Sequence, residues 1–283
     1  MLLPDAKADC HCHSTCSDGS LSPTELIDLA KTRGLTGLSI TDHDTLEAYP
    51  LALPYAQTQG IDLIAGIEIS AEHRRHSVHI LGYAFDLQHP ALRDFCVQLQ
   101  TARITRNQEI LARLAKHRVF ITLEELKESS PEGTVGRPHI AALMLKKGYV
   151  KSLKQAFDHY LGEKQRAYVS GYQADILATI ALIHQAGGFA VLAHPHYLSS
   201  KRLTSEILEY PFDGIEAFTG RSTLSQSQPW ITLAEQKGWF ITGGSDFHGA
   251  KTPYAPLGCA WTPPDIFEKF KHTFEKNNSG INC

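Results

Sequence analysis

Nowhere in its 283 residues does the sequence hold an apolar run approaching the roughly 18 residues of a membrane-spanning helix. The opening stretch MLLPDAKADC also lacks the cationic start and long apolar segment of a secretory leader, so no membrane partner and a cytoplasmic location are expected. Six cysteines are too few to staple a chain of this length, and reduced thiols follow as the default. Internal repeats and low-complexity tracts are lacking. A formal charge of −3 gives no global attraction to nucleic acid. The 42% hydrophobic and 20% charged content exclude a disordered, collagenous or fibrous chain.

What the net charge hides is its distribution. Between Leu92 and Arg166 there are fourteen Lys or Arg against eight Asp or Glu, so this segment carries +6 and the remainder −9. Short apolar runs followed by helical patterns flank it. Ala8–His13 precedes a helix near Pro23–Arg33, and Gly37–Thr41 precedes one over Leu46–Gln59. Asp62–Ile69 and Val78–Phe85 read as two further strands, the latter leading into a long polar helix from Leu92 to Lys116. After a helical stretch to Arg166, a helix over Ala174–Gln185 stops at Gly187 and Gly188 before a strand at Phe189–Ala193. Asp213–Ala217, Trp239–Thr242 and Leu257–Trp261 complete seven or eight strands. This α/β alternation predicts a closed or distorted β/α barrel formed by residues 1–91 and 167–283, with a basic helical insertion at 92–166.

Residues able to hold metals recur where those strands end. His11 and His13 lie two apart on the first strand and so share a face, with Asp18 in the next loop. The second strand runs into Thr41-Asp42-His43-Asp44, the third carries Glu68 and the fourth His79. Later strands end at Ala193-His194-Pro195 and Gly244-Ser245-Asp246-Phe247-His248. In a parallel barrel these ends converge on one mouth. A lone histidine beside a strand is usually structural, and His73, His76, His89, His117, His159, His184 and His272 are read that way. Six such elements in one relation to strand ends are a different matter, and they predict a metal centre. Imidazole with carboxylate suits Mn²⁺, Fe²⁺ or Zn²⁺, and the absence of required thiolates argues against a structural zinc site. Cys10 and Cys12 alternate with the histidines and are assigned to core packing, while Cys16 lies near enough in sequence to approach the centre.

The order HCH, D, TDHD, E, H, AHP, SDFH resembles that of the polymerase and histidinol phosphatase (PHP) family, over nearly the whole chain from His11 to His248. The resemblance implies a distorted (β/α)7-type barrel holding two or three divalent ions, with Mn²⁺ expected. It further implies one ion held by His11, His13, Glu68 and Asp246, a second sharing Glu68 with His79 and His194, and a third between Asp18, His43 and His248. Members that act on histidinol phosphate often carry His where this chain has Asp18. The closer similarity is to the stand-alone branch acting on nucleoside 3′,5′-bisphosphates and on 5′ ends of short RNAs, carried also by Arg103-Ile104-Thr105-Arg106-Asn107 and Gly136-Arg137-Pro138-His139.

The expected catalyst is a metal-bridged hydroxide, because bridged divalent ions lower the pKa of bound water from 15.7 to about 7 and neutralise phosphoryl oxygens. Arg103, Arg106, Asn107, Arg137, His139 and Arg221 are the candidates for binding a nucleotide or short-RNA substrate. Arg137 in a Gly-Arg-Pro turn is suited to a bidentate grip on phosphate. His196 and Asp44 are candidate acids for the leaving alkoxide. Simple phosphomonoester hydrolysis of the histidinol phosphatase type and a non-catalytic metal-stabilised binding module are the rival readings. No obligate protein partner is evident.

Overall fold

The computed structural model describes residues 7–130, 133–170, 174–198, 200–220, 222–249 and 254–280. Strands β1 (Ala8–Cys12), β2 (Gly37–Ile40) and β3 (Asp62–Leu63) form one parallel sheet. A second sheet runs β4 (Gly66–His73), β5 (His76–Tyr83), β6 (Phe189–Leu192), β7 (Gly214–Thr219) and β8 (Phe240–Gly244). The two join into a barrel. At one seam His43 bridges Glu68, with Asp44 N donating to Glu68 O at 3.0 Å. At the other, Cys12 bridges Phe247, and His13 N donates to Phe247 O at 2.9 Å. Gly244 makes that second seam tight, since a Cβ there would lie 2.3 Å from His11 N. β3 and β4 are separated by two residues and act as one bent stave, so seven staves close the barrel.

One stave runs backwards. β4 and β5 are antiparallel, joined by a two-residue hairpin at Arg74 and Arg75 with φ of 49° and 68°. That left-handed pair matches the twist of a hairpin, but Arg-Arg carries none of the Gly or Asn signals that announce one. The barrel is therefore distorted, as expected, with β5 reversed among otherwise parallel staves. His79 comes from the N-terminal half of β5, and the reversal alone brings it to the mouth where the other strands end. The expected strand at Leu257–Trp261 is also absent: Gly258 has φ +80° and Gly258 N donates to Asp9 at 2.7 Å, leaving turns and a single bridge from Thr262 to Ala8.

Helices cover the outside. α1 (Pro23–Thr32) starts on a capping box from Ser22 and Glu25 and buries Leu26, Ile27 and Ala30. α2 (Tyr49–Gln59) packs on α1, α7 (Ile176–Gln185) on β4 to β6, α9 (Leu224–Lys237) on β7, and α10 (Pro264–Asn277) on β8. The apolar faces of α1, α2, α7 and α9 merge with Leu38, Ile40, Ile67, Ile80 and Ile215 into the main core. At the barrel end away from His13, Tyr83 stacks on Phe270 of α10 at 5.0 Å.

The helical segment has a core of its own. α3 (Pro90–Lys116), α4 (Leu123–Glu128), α5 (Arg137–Lys146), α6 (Leu153–Ala156) and the π turn 157–161 enclose Ile110, Leu114, Ile140, Met144, Leu161 and neighbours up to Val169. Leu92, Cys96 and Leu99, in the first half of α3, belong to the barrel core instead. α3 is thus a single rigid rod that ties the two cores together.

Candidate metal centre and anion pocket

β1 delivers His11 and His13, both fully buried. The loop after it is folded by Asp42 at the end of β2, which accepts from Ser14 N at 2.8 Å, Ser14 Oγ at 2.5 Å and Ser17 Oγ at 2.5 Å. That loop turns Asp18 back towards His13, His43 and His248. β4 supplies Glu68, the turn after β6 supplies His194, and the segment after β8 supplies Asp246 and His248. Asp44, His194 and Asp246 have φ of 57°, 24° and 54°. Non-glycine residues in that region are strained, and such strain concentrates at functional sites.

Glu68 lies at the centre, 1% exposed. Its Oε1 is 2.7 Å from His79 Nδ1 and 2.9 Å from His194 Nε2. Its Oε2 is 3.1 Å from His43 Nδ1, 3.2 Å from His13 Nε2 and 3.5 Å from His11 Nε2. Asp246 Oδ1 stands 3.6 Å from both His11 and His13, and Asp18 Oδ1 lies 3.2 Å from His248 Nε2. The potential ligand atoms fall into four overlapping groups: His13, Asp18, His43 and His248; His11, His13 and Asp246; His11, Glu68 and His194; His43, Glu68 and His79. All nine expected ligands are brought together, although His11, His13 and His43 each stand in two groups where the family pattern assigns them one.

The donor set fits divalent cations. His11 Nε2, His13 Nε2 and His43 Nδ1 are buried without a hydrogen-bond partner, although each points towards a carboxylate. Such orphaned acceptors are costly unless something electrophilic sits among them. Burial pushes His43 down to about 3 against the attraction of Glu68 and Asp18. Burial alone would raise Glu68 and Asp18. The imidazoles of His43, His79 and His11 around Glu68, and of His248 and His43 around Asp18, hold both carboxyls well below the usual range.

Next to this cluster lies a small cavity of about 30 Å³ lined by Asp44, Ser70, Ser77, Arg103, Arg106, Arg137 and Tyr168. Arg106 Nε is buried with no partner. Burial, then repulsion from Arg103 and Arg137, lowers its guanidinium to about 9, still charged at neutral pH. Arg137 is lowered chiefly by burial as well; it lies 5.4 Å over the Tyr168 ring, and its Nη1 donates to Leu161 O at 3.4 Å. Gly136 lets the tips of Arg103 and Arg106 approach, with Arg103 Nη1 3.0 Å from where a Cβ would stand. Buried like charges of this kind call for an anion.

A model of the PHP domain matches residues 9–223. The chain belongs to the PHP domain family. This PHP chain is 36% identical to a 5′-3′ exoribonuclease of Haemophilus influenzae over 86% of its own length and 90% of that protein's. It is 33% identical to a 3′,5′-nucleoside bisphosphate phosphatase of Chromobacterium violaceum, over 86% of its length and 87% of that protein's. A solved structure from Bifidobacterium adolescentis, described as a metal-dependent phosphoesterase, superposes with a TM-score of 0.86 at 27% identity, covering 98% of both chains. This PHP protein is a metal-dependent phosphoesterase.

Several expected substrate or acid residues of the PHP chain have other partners. Arg103 Nε donates to Asp44 Oδ2 at 2.6 Å and its Nη2 to Ser70 Oγ at 2.7 Å, while Ser70 N donates to Asp44 Oδ1 at 2.8 Å. Burial would raise the Asp44 carboxyl, but Arg103 and His43 hold it below its usual value. Asp44 is therefore an ionised anchor for Arg103 and not a proton donor, which corrects the expected acid role. His196 packs edge-on against Trp230 at 5.8 Å, and burial lowers it. His139 is buried, and its Nδ1 accepts from Gly136 N at 3.2 Å; it shapes the Arg137 turn and does not line the arginine cavity. Asn107 Nδ2 donates to Val135 O at 2.9 Å. Arg221 lies outside the described residues. Sequence reasoning missed Glu216, fully buried on β7, whose Oε1 pairs with His11 Nδ1 at 2.8 Å and whose Oε2 accepts from His194 N at 2.9 Å. A charged residue in the apolar strand GIEAFT was the available signal.

Proposed function

We propose that this PHP enzyme cleaves a phosphoester at the 3′ side of a nucleotide that also carries a 5′ phosphate. Nucleoside 3′,5′-bisphosphates and 5′-phosphorylated short RNAs share that arrangement; removal of a 3′ phosphate and stepwise 5′-to-3′ degradation are then one reaction, in which water attacks phosphorus and the same 3′ oxygen leaves, whether that phosphorus carries only free oxygens or the rest of the RNA. The observation that carries the reading is the pair of half-buried, anion-seeking guanidiniums of Arg106 and Arg137 beside the carboxylate–imidazole cluster, with Arg106 Nε buried and unpartnered. A simple monoester has one phosphate and no use for a second cationic site. The activities of the Haemophilus and Chromobacterium relatives support both substrate forms.

In this reading the nine clustered residues hold two or three divalent ions, with Mn²⁺ favoured because Asp18 offers a hard carboxylate oxygen. Such ions, when bound, acidify water and neutralise phosphoryl oxygens. The chain's own residues supply position. Glu216 fixes His11 through its Nδ1, so that Nε2 faces Glu68. Asp42 folds the Asp18 loop, and Arg103 braces Asp44 beside His43. Arg106 and Arg137, from the basic segment 92–166, hold the non-reacting phosphate, and that remote binding energy aligns the scissile ester.

Product analysis with Mn²⁺ tests this. Nucleoside 3′,5′-bisphosphate should yield the 5′-monophosphate and inorganic phosphate, and a 5′-phosphorylated oligoribonucleotide should yield mononucleotides from its 5′ end. Release of the 5′ phosphate first, or equal turnover of a nucleoside 3′-monophosphate, would reject the reading.

A further inference from the structure

A second cavity of about 280 Å³, about nine times the arginine cavity, lies on the other side of Arg103. Arg103 lines both, so the two are separated by one side chain. Ile104, Leu123 and Val135 give it apolar walls, while Gln100 and Lys127 add polar ones. Cys16 and Thr45 place its edge against the two loops that carry Asp18 and His43. Ile104 is 44% exposed, an apolar side chain with no core to fill. Asn107 stands in the same wall: its Nδ2 is taken by Val135 O, and its buried Oδ1 has no partner.

We propose that this cavity receives the nucleobase of the substrate. The inference rests on the two-phosphate reading above. With one phosphate on Arg106 and Arg137 and the other at the carboxylate–imidazole cluster, the ribose lies between them beside Arg103. The group left to place is flat, largely apolar on its faces and edged with N–H donors and ring acceptors. The apolar walls suit its faces, and the polar side chains of Gln100 and Lys127 suit its edge. The arginine cavity is too small for it.

Activity on a nucleoside 3′,5′-bisphosphate and on the base-free analogue 1-O-methylribose 3,5-bisphosphate tests it, both with Mn²⁺. In the unmodified protein kcat/KM should be at least about tenfold higher for the nucleotide, as expected for one apolar group in a fitting pocket. Ile104→Trp, which fills the cavity from a half-exposed position, should collapse that ratio towards one; its turnover of the base-free compound also reports that the variant is folded. A ratio near one in the unmodified protein, with both compounds hydrolysed, overturns the nucleobase site while leaving the two-phosphate reading intact. A ratio that survives Ile104→Trp overturns it equally. If neither bisphosphate is hydrolysed, the two-phosphate reading fails and the nucleobase site fails with it.

Discussion

Glu68 shows how much one side chain can organise. Both of its oxygens face imidazoles from different strands, at 2.7 to 3.5 Å. Replacing one oxygen by an amide removes the charge that the proposed ions would share. Glu68→Gln should therefore abolish turnover and lower metal content; near-normal activity would take Glu68 out of the centre. Arg137 makes a contrasting case, since it is half-buried and placed away from the ligand groups. A charge-assisted bidentate contact is worth on the order of 1.5–3 kcal/mol, so Arg137→Ala should lower kcat/KM for a bisphosphate by roughly ten- to a hundredfold. An activated aryl phosphate, lacking the second phosphate, should lose far less. Equal losses on both substrates would place Arg137 on the reacting group or in the fold. The nine ligand candidates were legible because metal ligation needs particular residue types at strand ends. The partners of Asp44 and His139 were not, because a hydrogen-bond acceptor and a proton donor look alike in sequence.

The β4–β5 hairpin decides the geometry at the level of elements. It reverses one stave, and that reversal brings His79 over Glu68. Its turn is built from two arginines in the left-handed region, a conformation that costs a non-glycine residue roughly 1–2 kcal/mol. Arg74 recovers little through its exposed pair with Glu206 at 3.0 Å. Arg74→Asn with Arg75→Gly should accordingly raise the denaturant midpoint, by about 1 kcal/mol in stability, without changing turnover. A lowered midpoint would show that the Arg74 pair outweighs the turn strain. Helices were easier to read than this turn. The capping box at Ser22 and the glycines after α7 act through neighbours a few residues away, whereas the hairpin is enforced by ladder bonds across the sheet.

Across the whole molecule, the centre draws on six staves and both seams of the barrel. Ions bound there would cross-link strands that are distant in sequence, and a ligand held at a hundred times its Kd stabilises by about 2.7 kcal/mol. At roughly 2–4 °C per kcal/mol for a large domain, Mn²⁺ should raise the melting temperature of chelator-treated protein by about 5–10 °C. Activity should return best with Mn²⁺. Unchanged melting would deny the cluster a cation, and best recovery with Zn²⁺ would count against the role given to Asp18. By itself, the sequence determined the α/β alternation, the identity of the nine clustered residues and the basic character of the inserted segment, because periodicity, residue chemistry and charge are local properties. Only the tertiary structure decided that one stave runs backwards, that Glu216 orients His11, that Arg103 is committed to Asp44, and that Arg106 and Arg137 line one cavity. Each of these depends on residues tens to hundreds of positions apart meeting in space, and no local pattern records which partner a buried charge will find.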